Sequence, residues 1–443
     1  MKQYIDFFES QRLTIEKSCP ALLNSYRNNA LDSFKTKGFP VFGSEDYQHI
    51  DIPKLLDADF GFHIGNGGSK INPHKVSPCN LPNVSSVPHF LVNGHYYPEE
   101  VEREIPQGVF SGSLNTFAEQ YPEIFSKYYN RLAEKNGNGL SDFNTLFVQD
   151  GYVLYVPKNV IVENPIQLTN LSDNKVDSLV NRRILIILEA GAQAKLLVCD
   201  HAAEEKTTSV VEQVTELFIE ENAVFDFYEL EESSRKTIRL TNTFVRQSQA
   251  SNVLITGIVL NNGTTRNNYQ IDLDGENAET HLSGMMIIDE KQKADNFSVI
   301  NHNVPNCHSN ELFKYVLDGE SIGSFNGKIK VAPNAQKTQS HQNNRNLLGN
   351  KDCRMYSKPQ LIIDADDVKC SHGMTTGQLD EKALFYMRSR GISESEAILL
   401  LKYAFTDDIL QSIRVDGLKS RLKLLIEKRF RGELVKCQGC GSR

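Results

Sequence analysis

The sequence is short of the features that mark secreted, membrane-spanning or nucleic-acid-binding proteins. Its eight cysteines are Cys19, Cys79, Cys199, Cys307, Cys353, Cys370, Cys437 and Cys440, and only the last two form a close pair within 443 residues. A secreted disulfide framework is denser and its domain smaller, so reduced thiols in a cytoplasmic protein are expected. Cys19, Cys79, Cys199 and Cys353 read as small buried hydrophobes. No run approaches the roughly 18 apolar residues needed to span a bilayer. Residues 1–9 lack a basic stretch followed by an apolar core, so no signal peptide is expected there. Positive charge is scarce too: 48 Lys and Arg against 56 Asp and Glu give a net charge of −8, which repels nucleic acid. A phosphate-binding loop is also missing. Gly65, Gly67 and Gly68 precede Lys70, but a Walker A loop needs Gly, four residues, then Gly-Lys-Ser/Thr. The order Gly68-Ser69-Lys70-Ile71 breaks that pattern and reads as a surface loop.

What remains is an ordinary globular composition, 40% hydrophobic and 23% charged, in a chain long enough for two or three domains. Residues 4–34 carry apolar side chains at helical spacing: Phe7, Leu13, Ile15, then Leu22, Leu23, Tyr26, Ala30 and Phe34. Pro20 divides them into two helices, and Gly38 and Pro40 end the second. A further helix is expected over 113–135, stopping at Asn136-Gly137-Asn138-Gly139. Helical spacing returns after Gly377. Ser393 and Glu396 make a capping box, followed by Ala397, Ile398, Leu401, Ala404 and Phe405 on one face. Asp407 or Asp408 is placed to open the next helix, and Leu418, Leu422, Leu425, Ile426 and Arg429 fit a last one. Residues 414–436 hold eight Lys or Arg against three acids, which reads either as a solvated helix face or as a docking surface.

Between these helical regions the texture is β. Runs such as Tyr152-Val153-Leu154-Tyr155-Val156, Ile184-Leu185-Ile186-Ile187-Leu188 and Val224-Phe225-Asp226-Phe227-Tyr228 are flanked by turn residues. Gly191-Ala192, Asn222-Ala223, Asn277-Ala278 and Asn334-Ala335 each put Gly or Asn before Ala between strands, with Asn159-Val160 a looser copy. Gly and Asn tolerate a left-handed backbone, and Ala fits inside a tight corner. The steps between these sites are 32, 31, 55 and 57 residues. Such an imperfect recurrence suggests stacked coils, a β-helix or solenoid, with a large β-sandwich as the alternative.

The chemistry concentrates near residue 370. If residues 368–372 form a strand, Cys370 and His372 share one face, and Gly373 ends the strand and exposes its tip. A thiolate and an imidazole on one face can share iron or zinc. They make half a site, so two more ligands must come from elsewhere or from a second chain. His302, Cys307, His308 and His341 could gather in a coil, although core or edge roles suit them better. The Cys437-Gln438-Gly439-Cys440 tail supplies at most another half-site or a redox pair.

The run Asp366-Asp367-Val368-Lys369-Cys370-Ser371-His372-Gly373, with Met374-Thr375-Thr376-Gly377 and Leu384-Phe385-Tyr386-Met387-Arg388-Ser389-Arg390-Gly391-Ile392, resembles the C-terminal signature of the SufB/SufD family of iron–sulfur cluster assembly scaffolds. Tyr155-Val156-Pro157-Lys158, Glu163-Asn164-Pro165-Ile166, Glu189-Ala190-Gly191-Ala192, Asn301-His302, Cys307-His308-Ser309, Gly323-Ser324-Phe325-Asn326-Gly327-Lys328-Ile329 and Ala335-Gln336-Lys337-Thr338 extend the likeness over about 140–410. Tyr47-Gln48-His49-Ile50 is a fainter echo. The chain is closer to the SufD branch: it is on the shorter side, its N-terminal part lacks a cysteine-rich run, and its tail lacks the acidic-plus-histidine ending of SufB. Two departures stand out. Met374 occupies a position where the family usually has Ala, and the chain has no tryptophan, although many relatives carry one where Tyr47 stands.

The resemblance implies a mainly β protein: a right-handed parallel β-helix core at 141–376, an N-terminal helical or mixed region at 1–140 and a C-terminal helical domain at 377–443. It implies a non-catalytic scaffold subunit of a SufBCD-type complex. That subunit would pair with a SufB-like protein and dock a SufC-like ATPase, which would supply the ATP site this sequence lacks. It also assigns Cys370 and His372 to the subunit interface where a transient cluster forms. No cofactor bound by this chain alone is expected, and no residues for a flavin stand out. In isolation the chain would form a homodimer through exposed β-helix edges. Two alternatives remain: a structural β-helix homodimer with no metal role, and a polysaccharide-active β-helix. The second needs converging carboxylates, and Asp364, Asp366 and Asp367 are the only dense acidic group on an expected strand.

Overall fold

The computed structural model describes residues 1–65, 72–73, 86–98, 105–202 and 206–433. Four strands enter the fold: β1 (Gly61–Phe62), β2 (Val87–Val92), β3 (His95–Tyr97) and β4 (Phe110–Ser113). The solenoid proper then runs through β5 (Tyr152–Val156), β6 (Ile166–Ser172), β7 (Ser178–Leu188), β8 (Gln193–Ala202), β9 (Ser209–Ile219), β10 (Val224–Glu232), β11 (Thr237–Gln247) and β12 (Asn252–Asn261). It continues through β13 (Thr264–Leu273), β14 (Glu279–Ile288), β15 (Lys293–His302), β16 (His308–Leu317), β17 (Ile322–Val331), β18 (Gln339–Leu348), β19 (Arg354–Ile363) and β20 (Lys369–Gly377). From β5 onward, odd strands stack into one parallel sheet and even strands into the other. Each coil therefore contributes one strand to each sheet, giving a parallel β-solenoid. A sandwich is excluded because, from β5 onward, sequential strands lie in different sheets and do not pair.

The corners explain how the sequence encodes this coil. Asn159, Gly191, Asn222, Ala250, Asn277, Asn306 and Lys337 all have positive φ, between 52° and 72°. Each of these residues turns the chain from the odd to the even sheet. Corner backbones also bond to the next coil, as in Gly191 N–H to Glu221 O at 2.8 Å and Asn222 N–H to Gln249 O at 2.9 Å. The residue after most of these corners is small and fully buried: Ala192, Ala223, Ser251, Ala278, Cys307 and Thr338. Steps of 55 and 57 residues in the sequence thus each hide two coils. Their intermediate corners are Ala250 and Asn306, which break the Gly/Asn-Ala signature. Asn334 is not left-handed; Lys337, three residues on, takes that role.

Both outer faces of the solenoid are covered. The N-terminal region packs on the odd sheet through Phe8, Phe34, Phe143, Leu179, Val210 and Leu240, and through Phe117, Phe125, Leu185, Val214 and Phe244. Its first helices are Lys2–Lys17, Ala21–Asn24 and Arg27–Lys37, with Pro20 capping the second and Gly38 ending the third at φ 63°. The single helix expected over 113–135 is three: Leu114–Gln120, Pro122–Tyr128 and Arg131–Asn136. Pro122 can only start a helix, and Asn130 turns left-handed at φ 60°. A fourth, unforeseen helix, Gly139–Phe147, follows where a stop was expected. Buried Arg27 holds its C-terminal end, donating to Leu146 O at 2.5 Å and Val148 O at 2.8 Å. A cation on those free carbonyls also complements the helix dipole.

The C-terminal helices Glu394–Ser412 and Asp416–Phe430 cover the even sheet, packing Ile409, Leu410, Leu418, Leu422 and Ile426 on Leu197, Leu230, Leu254, Ile258 and Met285. Ser393 caps the first of them by accepting from the Glu396 amide at 3.3 Å. Glu396 does not return the bond and pairs with Arg431 instead. Asp407 and Asp408 lie inside this helix and do not open a new one. Three arginines of the basic stretch are engaged against the solenoid side, while exposed Arg431 pairs with Glu396 and Glu427 of the helices themselves. Arg414 binds Asp226 at 2.9 Å, Arg429 binds Asp289 at 2.8 Å, and Arg421 is buried. These residues fasten the helical domain to the solenoid.

Candidate functional site

Among the described residues, no strand caps the C-terminal end of the solenoid. β19 and β20 are the last strands of their sheets, each with a single neighbour. Tyr356, Ile362, Ile363 and Met374 are exposed there, an apolar rim around two open strand edges. Such edges invite pairing with another sheet.

Cys370 and His372 sit on β20, which runs on past Gly373 to Gly377, so Gly373 does not end the strand. Parallel register aligns Cys370 with Ser340, His372 with Gln342 and Met374 with Asn344. All three β18 residues are buried and belong to the row that faces the solenoid lumen. The period of two then puts Cys370, His372 and Met374 on the lumen-facing row of an open end. Cys370 is half-buried against the lumen core and His372 is exposed. Burial pushes the Cys370 thiol above its ordinary pKa, opposed by a hydrogen bond from the Ser340 backbone. A nearby cation or metal is what would draw out the thiolate.

Among the described residues no three His, Cys, Asp or Glu side chains gather as a metal site. Cys370 and His372 therefore stand without a third such side chain beside them among the described residues. The other candidates are dispersed. His302 lies in the lumen with Nε2 2.9 Å from Ser309 Oγ, and burial depresses its pKa to about 4. Cys307 is a buried corner residue, while His308 is exposed and His341 contacts Ser371 Oγ at 2.8 Å. Cys199 and Cys353 are buried as expected, and Cys19 is half-buried with Sγ 3.2 Å from Arg27 Nη2. Cys79, Cys437, Cys440 and the residues Gly67, Gly68 and Lys70 lie outside the described residues. Asp364, Asp366 and Asp367 fall in the corner between β19 and β20 and not on a strand, so no row of carboxylates forms there.

Two features escaped the sequence reading. The helix Glu381–Ser389 follows β20 directly and buries no residue, leaving Phe385 at 73% and Tyr386 at 59% exposure. Exposed aromatics on a helix with no buried face mark an unpartnered surface. The second feature is the polar lumen. Arg182, Asp200, Glu229, Glu231 and Arg239 are buried inside the coil stack, linked by Arg239 Nε to Asp200 Oδ2 at 2.6 Å and Nη2 to Glu229 Oε1 at 2.9 Å. Arg182 also pairs with Asp200. No helix in the described residues is long and apolar enough to cross a membrane.

The described residues thus form a two-sheet parallel solenoid sheathed by helices on both faces, with a cysteine and a histidine in one row at its open end. Residues 170–405 match the SufBD core domain of the SUF system for FeS cluster assembly, and residues 1–168 match the SufBD protein N-terminal region. The chain belongs to the SufBD family of iron–sulfur cluster assembly proteins. It is 28% identical over 418 residues to the iron–sulfur cluster assembly SufBD family protein slr0076 of Synechocystis, covering 92% of this chain and 91% of that one. It is 36% identical over 174 residues to the assembly protein SufD of Escherichia coli, covering 39% and 41% of the two chains. The SufD of Bacillus subtilis is 25% identical over 330 residues, 73% of this chain and 75% of its own. Within the family the chain is most like SufD.

Proposed function

We propose that this chain is a non-catalytic scaffold subunit of a cytoplasmic SufBCD-type complex, in which its open solenoid end pairs with the matching end of a SufB-like protein. A nascent iron–sulfur cluster is the cargo of that interface. Cys370 and His372 would supply two ligands, and the partner the rest. The observation that supports the reading is a thiol and an imidazole two residues apart on the lumen row of an edge strand. The helix Glu381–Ser389, with Phe385 and Tyr386 exposed, is the surface offered to a SufC-like ATPase. ATP-driven movement of that helix would reach β20 through only three intervening residues, 378–380. Without partners, the same edges would pair two copies of this chain.

Two outcomes test this reading. Cys370→Ala and His372→Ala, each in the co-expressed complex, are expected to lower cluster yield at least tenfold, read as bound iron and visible absorbance. Both variants should still co-purify with the partners. Unchanged yield in both would defeat the ligand assignment. Separately, Phe385→Asp is expected to weaken ATPase binding at least tenfold, about 1.4 kcal/mol, because exposed aromatics of this kind act as interface anchors. The solenoid pair should survive that change. An ATPase that stays bound with wild-type affinity would remove the helix from the interface.

A further inference from the structure

The two candidate ligands are not isolated on the end strand. Each stands at the head of a buried polar row that runs back through the even sheet. Behind Cys370 the register gives Ser340 and Ser309, with Ser309 Oγ 2.7 Å from Ser340 Oγ and His302 beyond. Behind His372 it gives Gln342 and then Glu311. Both Gln342 and Glu311 are about fully buried, and Gln342 Nε2 donates to Glu311 Oε2 at 2.6 Å. With Nε2 turned to Glu311, the oxygen of the same amide faces the other way. Gln342 Oε1 is then left buried and without a hydrogen-bond partner. Buried polar groups of native interiors are as a rule hydrogen-bonded, so a free amide oxygen calls for a donor. The next residue along its row is His372, whose ring carries an N–H to give.

We propose that Gln342, held by Glu311, is the positioning residue for His372. Its free amide oxygen accepts the ring N–H, fixes the tautomer and turns the other nitrogen's lone pair outward from the solenoid end. Histidines that bind metal are oriented in this way by an acceptor on the far nitrogen. Ordering the imidazole in advance leaves less freedom to be lost when the cluster arrives. The inference rests on His372 being a ligand, but its first test needs no cluster.

The experiment uses the full chain labelled with ¹⁵N-histidine, with His372 assigned by its loss in His372→Gln. In the wild-type protein His372 should show one dominant tautomer. Gln342→Met keeps the side-chain length and removes the acceptor, so the two tautomers should approach equal populations. Glu311→Gln can still accept from Gln342 and should keep the wild-type pattern, whereas Glu311→Leu should behave as Gln342→Met does. A role in packing alone would not separate the two Glu311 variants in this signal. In the complex with its partners, Gln342→Met should lower iron retention 10- to 100-fold and Glu311→Gln should not. A His372 tautomer ratio unmoved by Gln342→Met overturns the proposal, as does equal behaviour of the two Glu311 variants. If the tautomer follows Gln342 yet His372→Ala leaves cluster yield intact, the ligand reading fails and the positioning role stands without it.

Discussion

Replacing Arg239 with Ala is expected to cost about 3–5 kcal/mol of stability, the range found when one partner of a buried ion pair is removed. Arg239 is buried in the lumen and serves three groups at once. Its Nε reaches Asp200 at 2.6 Å, its Nη2 reaches Glu229 at 2.9 Å, and its Nη1 reaches Asn267 Oδ1 at 2.9 Å. Burial pushes the Asp200 carboxyl up, but the Arg182 and Arg239 guanidiniums together bring it below its ordinary pKa. Burial also raises Glu229, and Arg239 is the main opposing influence. Without Arg239, Glu229 has no cation in contact and Asp200 keeps only Arg182. The change should appear as an earlier midpoint when the far-ultraviolet β signal is followed through urea unfolding. Part of the loss is carried by the orphaned acid, so Glu229→Gln added to Arg239→Ala should recover stability. A single variant within 1 kcal/mol of the parent, or a double variant worse than the single, would sink the assignment of Arg239 as the hub.

That hub also shows where the sequence was silent. Strands such as β7, β9 and β10 read as apolar runs with occasional charges, and a charge in a strand reads first as an outward residue. Here nearly every position of β7 and β9 is buried, because N-terminal helices cover the face that would otherwise meet water. Burial on both faces erases the alternation that tells inside from outside. Arg182, Arg239 and Glu229 therefore could not be assigned to the lumen without the coil register. The coils themselves were legible where Gly191, Asn222 and Asn277 put a tolerant residue in a left-handed corner. They were hidden where Ala250 and Lys337 adopt the same backbone against their preference. Cys370 and His372 were legible as a pair because a period of two needs no tertiary information. Their neighbours Gln342 and Glu311 were not, since 30 and 61 residues separate each from His372 in sequence and only the stacking brings them into line. Opposite-charge contacts of the C-terminal arginines were missed for the same reason. A basic run looks solvent-facing until the acids on another element, Asp226 and Asp289, are placed opposite it.

Glu212→Gln is expected to stabilise the protein by about 3 kcal/mol at pH 7, an unusual sign for a buried substitution. Glu212 is fully buried beneath the N-terminal helices, where Asn144 Nδ2 donates to its carboxyl at 2.5 Å. Burial pushes its pKa up to about 8, outweighing that hydrogen bond and the charge of Arg183. The folded protein thus keeps a proton that the unfolded chain loses near the ordinary value of 4.5. Below that value both states are protonated and the contribution to stability is complete. Between about 4.5 and 8 the unfolded state sheds its proton, and stability falls by roughly 1.4 kcal/mol per pH unit. Above about 8 the folded state deprotonates too, and the decline levels off. Gln imitates the protonated acid in shape and hydrogen bonding, so it removes the decline and keeps the Asn144 contact. Parent and variant should agree within about 1 kcal/mol at pH 5 and separate steadily toward pH 8 in urea titrations. Glu231 and Glu311, pushed up to about 7 by burial, bend the parent curve the same way and remain in the variant. The difference between the two curves therefore isolates Glu212. A constant offset across pH 5 to 8 would show that its carboxyl is ionised in the folded state after all.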